Sequence, residues 1–164
     1  MYSISKAQPK DIDGILRVIE EGRQIMRQSG NLTQWTEGYP KKEMIQKDIQ
    51  KESGYLVKDD DDATLAYFAF IEGPDPTYSY IYEGEWLDLD TPYHVLHRMA
   101  KDRSAKGVFS LVMDFIKARS KSIRVDTHER NPIMRHLLEK NGFLYCGKII
   151  CSDGTERLAY QRLP

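Results

Sequence analysis

The stretch NPIMRHLLEKNGFLYCGKII, residues 131–150, constrains the fold more than any other part of the chain. Both ends of a short helix are punctuated in it. Asn131 is a favoured N-cap residue and Pro132 suits the first helical position. Gly142 suits the left-handed stop at the far end. Ile133, Met134, Leu137 and Leu138 supply one apolar face. Two strand-like runs follow, FLYCGKII and ERLAYQRL, joined by CSDGT, whose Asp-Gly pair is a hairpin signal. The end of the chain therefore reads as a helix feeding an antiparallel hairpin.

The preceding residues extend the pattern. Residues 2–7 alternate as a strand. Pro9 opens a helix carrying Ile12, Ile15, Leu16, Ile19, Ile25 and Met26, with an interruption expected near Gly22. Pro40 opens a second helix with Met44, Ile45 and Ile49 on one side. GYLVKD and ATLAYFAFIEG flank the acidic run 59–62 as a hairpin. The apolar and aromatic second strand is expected to be central. Residues 94–100 and 122–128 read as strands, the latter with Ile123 and Val125 on one face. The order β α α β β β α β α β β predicts an α/β (α+β) fold, with helices covering a twisted, largely antiparallel sheet. At 164 residues, a single domain over 1–164 is the expectation. Residues 74–93 would be an irregular insertion within it.

Composition excludes several classes of function. A formal net charge of −1 provides no field for nucleic acid or an anionic membrane. No apolar run reaches spanning length. The N-terminus lacks an apolar signal core, so a cytoplasmic protein is expected. Cys146 and Cys151 form neither a disulfide framework nor a zinc pattern. They could face one another across a hairpin, as thiols in a reducing compartment. His128 with Asp126 and Glu129 reads as a solvated strand end, and no metal is expected.

Chemistry is suggested by DRSAKGVFSLVMDFI, residues 102–116. Val108, Phe109, Leu111, Val112, Phe115 and Ile116 form one wide helical face, so a helix should begin near Lys106 or Gly107. A helix start exposes unpaired N–H groups and partial positive charge. Arg103 and Lys106 add full charges there, and Gly107 allows close approach to the backbone. The result is either an anion cradle or an ordinary loop-to-helix junction.

Together, HRMAKDRSAKGVFSLVMDFI and IRVDTHERNPIMRHLLEKNGFLYCG resemble the GNAT N-acetyltransferase superfamily, and the resemblance covers essentially the whole chain. The family's acyl-CoA loop, Gln/Arg-x-x-Gly-x-Gly/Ala, falls on residues 104–109. Only Gly107 matches it, and Arg103 lies one position early. The resemblance implies acetyl-CoA as co-substrate. Its pyrophosphate would rest on Arg103, Ser104, Ala105, Lys106, Gly107, Val108 and Phe109. Its pantetheine arm would pair with the strand through Arg98, Met99 and Ala100, and Asn131 would lie beside it.

Acetyl transfer to an amine needs a neutral nucleophile and a proton for the departing thiolate. Each proton-transfer group contributes roughly 10²–10⁴-fold. The family's usual acid, a tyrosine, is replaced here by Leu138, leaving Tyr145 or a water. His97 is similar in place to a histidine used as base by arylalkylamine acetyltransferases; it could equally be a core histidine. Glu72 is the second candidate base. In the insertion, aromatic residues interleave with carboxylates, a chemistry that favours cations. Tyr80, Glu83 and Trp86 there, with Trp35 and Tyr39 in an earlier loop, are the expected acceptor contacts. The other reading of the insertion is a cover over the core or a homodimer contact. The resemblance thus implies an N-acetyltransferase acting on a primary amine of a small molecule or peptide. The alternative is a catalytically silent acyl-CoA-binding module.

Overall fold

The computed structural model describes residues 1–32, 34–35 and 39–164. The element order matches the sequence reading. It runs β1 (Ser3–Lys6), α1 (Ile12–Gln28), α2 (Lys42–Gln50), β2 (Gly54–Lys58), β3 (Thr64–Glu72), β4 (His94–Lys101), α3 (Val108–Lys117), β5 (Ile123–Thr127), α4 (Pro132–Lys140), β6 (Leu144–Ile150) and β7 (Glu156–Arg162). The strands form one mixed seven-stranded sheet in the order β1-β2-β3-β4-β5-β7-β6. The pairs β1–β2, β2–β3, β6–β7 and β5–β7 are antiparallel, whereas β4 and β5 run parallel. Among the described residues no helix is long and apolar enough to cross a membrane.

The chain divides into two compact units, residues 1–71 with 96–114, and residues 72–95 with 115–164. In the first, Ile15, Val18 and Ile19 of α1 pack with Ile45, Leu56, Tyr67 and Ala100. β3 is buried on both faces, which explains its near-continuous apolar run. The interruption expected near Gly22 does not occur, and α1 is continuous across it. Gly22 marks close packing instead. A Cβ there would lie 3.1 Å from Ala100 Cβ and 3.2 Å from Trp35 Cζ3. The acidic run is a turn tied by its own side chain, since Asp59 Oδ1 accepts from the amides of Asp61 and Ala63.

In the second unit, Tyr78, Trp86, Val95, Cys146, Ile149 and Ala159 form the core. Cys146 lies within β6 and Cys151 in the turn after it, so the two do not face one another across the hairpin. Both are free thiols. The start of α4 is as expected, with Asn131 Oδ1 accepting from the Met134 amide at 3.1 Å. Asn131→Ala should cost about 1 kcal/mol of stability, read as a lower urea midpoint. An unchanged midpoint would mean that Pro132 and packing hold the helix start without the cap.

Candidate active site

In the first unit the chain passes from β4 through a tight loop into α3. The register of β4 with β5 comprises His94↔Ile123 and Val95↔Arg124, so it ends where Leu96 begins. Beyond that point lies the backbone of Leu96–Lys101. Arg98 interrupts it with φ 53°, a left-handed conformation that costs a non-glycine residue on the order of 1–3 kcal/mol. A buried network holds it there. Asp48 of α2 accepts from Arg98 Nε at 2.9 Å and Nη2 at 2.7 Å, and from the Tyr67 hydroxyl at 2.6 Å. Burial, then the Asp48 charge, pushes the Tyr67 phenol well up. Burial pulls the Arg98 guanidinium down, but its hydrogen bond and attraction to Asp48 more than offset this, so the net direction is upward. The sequence reading placed Arg98 by its backbone alone. The side chain is what fixes that backbone.

The loop is ordered by Asp102. Its carboxylate accepts from the Ser104 amide and hydroxyl at 2.9 and 2.6 Å and pairs with Arg17 at 2.7 Å. Ser104 first, then Arg17, hold its pKa down to about 2, so it is ionised at neutral pH. The Arg103 amide is taken by Glu21 at 2.7 Å, and the Ala105 carbonyl accepts from Lys101 Nζ at 2.9 Å. Arg103 and Lys106 are exposed. Gly107 has φ 73°, and a Cβ built on it meets nothing within 4 Å. The helix begins at Val108, just after the Lys106–Gly107 start expected from its periodicity. Val108 and Phe109 bury their side chains, so the ring at the position where the family pattern has a small residue turns inward. The space at Gly107, before the α3 amides, is therefore open, with exposed Arg103 and Lys106 in the same loop.

His97 is half-buried on β4, next to the left-handed Arg98. Trp35 is buried among Ile15, Ile19 and Ala100. Tyr39 is half-buried, and its carbonyl accepts from Arg23 Nη2 at 2.6 Å. Both aromatic residues contribute first to the core, and the rest of their loop, residues 33 and 36–38, lies outside the described residues.

The remaining candidates belong to the second unit. Glu72 is exposed at the end of β3. Tyr145 is 48% exposed and meets Tyr160 edge-on at 5.7 Å; partial burial raises its pKa, so its phenol keeps its proton. Tyr80 is exposed and stacks on Tyr82. Glu83 is committed to an ion pair with Lys148 at 2.9 Å. Trp86 is buried, with its indole N–H donating to the Tyr78 carbonyl at 3.0 Å.

The insertion is tied to later strands by hydrogen bonds. Tyr82 and Lys148 exchange two backbone hydrogen bonds. The Leu87 amide donates to Gln161 Oε1 at 2.8 Å, and Tyr78 donates to Asp126 at 2.6 Å. No group of metal-ligating side chains occurs among the described residues.

Two features escaped the sequence reading. Asp48 carries a signal in hindsight, an acid on the same helical face as Ile45 and Ile49. Arg124 is the other, a charge inside a strand read as buried on one face only.

No protein-family model matches the chain, and a search of curated proteins finds no match. Solved structures do match. A GNAT-family acetyltransferase from Streptococcus agalactiae 2603 is 36% identical with a TM-score of 0.88, over 99% of this chain and 95% of that one. One from Listeria monocytogenes 4b F2365 shares the fold at 20% identity and a TM-score of 0.73, over 99% and 95% of the two chains. A structure of the NatC complex bound to Gag peptide and CoA shares it at 9% identity and a TM-score of 0.63, over 99% and 98%. The element order, the open glycine at the start of α3 and the full-length match at 36% identity lead to one assignment: this chain belongs to the GNAT family of acetyltransferases.

Proposed function

We propose that the chain is an N-acetyltransferase that takes an acetyl group from acetyl-CoA and passes it directly to a primary amine, with 1–164 acting as one catalytic domain. The observation that carries this is the run from the β4 edge beyond Val95, through the Asp102-ordered loop, to the open α3 start at Gly107. An extended polar arm adds to a strand edge through main-chain hydrogen bonds, and a pyrophosphate suits helix-start amides. Arg103 and Lys106 would add charge to that hold. The thioester supplies the activated acyl group.

The chain's part in the reaction is positioning and proton handling. Well-oriented reactants can account for about 7–11 kcal/mol of a barrier. His97, with Glu72 as the second candidate, takes the proton of the amine. Tyr145, protonated at neutral pH, serves as a donor to the departing sulfur, in the role for which Leu138 is unsuited. Asn131 belongs beside the cofactor by resemblance, although its side-chain oxygen already caps α4. The fit to a family of transferases favours turnover over silent binding of acyl-CoA.

Gly107→Glu tests the cradle. Acetyl-CoA should raise the melting temperature of the wild type, because a ligand that binds only the folded state stabilises it by mass action. The variant should lose that shift. No atom lies within 4 Å of the added Cβ, so steric clash is not the cause expected; the φ of 73° adds strain of its own, which the melting temperature without ligand reads separately. An undiminished shift in the variant places the cofactor elsewhere.

A further inference from the structure

The second unit contains a cleft of about 640 Å³, within the range of small-molecule sites. Arg124 lies in its wall and is only 4% exposed. Its guanidinium is held between two rings, with Cζ 4.2 Å from the centroid of Trp86 and 3.9 Å from that of Tyr93. Nη2 donates to the Asp88 carbonyl at 2.9 Å. Nε is buried and has no hydrogen-bond partner among the described residues. Removing a guanidinium from water costs several kcal/mol unless an anion and hydrogen bonds offset it. The protein supplies two ring faces and one carbonyl. Nε itself is sealed from solvent, but a guanidinium so poorly compensated in the cleft wall is where a ligand's anion would be most favourable.

The rest of the cleft has the opposite sign. Asp75, Glu85 and Asp88 line it. Asp75 receives the amide and hydroxyl of Thr77, and Asp88 those of Thr91, so both carboxylates are fixed in place. Those hydrogen bonds from Thr91 hold the Asp88 carboxyl below its usual range and keep it charged. Glu85 is exposed. A simple anion would be repelled by the three carboxylates, and a simple cation would leave Arg124 unmatched. A molecule carrying both charges answers both. We propose that this cleft binds a small amino carboxylate, with its carboxylate on Arg124, its ammonium against Glu85 and Asp88, and its body against the tyrosine and tryptophan walls. The inference concerns binding and stands whether or not the bound molecule is acetylated.

The test uses the whole chain without acetyl-CoA. Of its two tryptophans, Trp86 stacks on Arg124, so ¹⁵N NMR of the indole and arginine Nε–H signals reports on the cleft directly. L-phenylalanine, L-leucine and L-lysine are titrated beside phenylacetate and phenethylamine, which each keep one of the two charges. At least one of the amino acids should shift the Trp86 and Arg124 signals saturably. It should bind about tenfold or more tighter than either single-charge probe, the weight of one charge-assisted contact. Arg124→Lys keeps a charge but loses the planar fork and should weaken binding by a similar factor. Glu85→Gln, on the exposed rim, should weaken it less, and chiefly at low salt. Absence of saturable shifts with all three amino acids overturns the proposal. So does phenylacetate or phenethylamine binding equally well, or full affinity in a folded Arg124→Lys chain.

Discussion

Asp48→Ala should destabilise the chain by about 3–5 kcal/mol, because it leaves the Arg98 guanidinium buried without its anion. The two side chains are 7% and 11% exposed, so solvent screens the pair little. Tyr67 loses its acceptor in the same variant. Tyr67→Phe, which removes one donor and leaves the ion pair, should cost only about 1 kcal/mol. Asp48→Leu combined with Arg98→Met should recover much of the loss, since removing both charges removes the desolvation cost. Urea denaturation of the three variants beside the wild type measures this directly. Equal midpoints for Asp48→Ala and wild type would show that the network contributes nothing. A double variant no better than the single one would show that shape, and not charge, is what Asp48 provides.

The second large effect is on rate. His97→Ala should lower kcat/KM for acetyl transfer by roughly 10²-fold, or about 2.7 kcal/mol of transition-state stabilisation. The thermal shift produced by acetyl-CoA should survive, because the proposed cofactor contacts on β4 are made by the backbone. The acid limb of the pH–rate profile should change with it. Wild-type rates across the pH range would remove His97 from the mechanism and leave Glu72 or a water as base. Loss of both rate and acetyl-CoA binding would instead mark His97 as a prop for the strand, like its neighbour Arg98.

The contrast between those two neighbours shows what the sequence could convey. Local rules reach the elements. Pro132 and Gly142 bracket α4, Asp153-Gly154 turns the final hairpin, and the α3 periodicity begins at Val108. Each signal lies within a few residues of its effect. Long-range pairings leave no such trace. Asp48 and Arg98 are 50 residues apart, and nothing local to either one names the other as its partner. Gly22 read as a weak point in a helix because glycine lowers helix propensity. The strand it accommodates, at Ala100, lies far along the chain. The insertion is read no better from its own residues. Tyr78, Tyr82 and Leu87 bond to Asp126, Lys148 and Gln161, all supplied by later strands.

One of those partners matters for the protein's behaviour in concentrated solution. β6 ends the sheet, and Leu144, Tyr145 and Ile150 leave apolar surface on it. A bare terminal strand of that character is a template onto which another chain can add. Tyr82 occupies the backbone groups of Lys148 midway along it, and Glu83 and Glu156 gather charge at the same point. The segment between β3 and β4 thus acts as a guard against strand-to-strand aggregation. A chain with that segment shortened to a tight turn would expose the template, and its first fault would be poor solubility, ahead of any loss of chemistry.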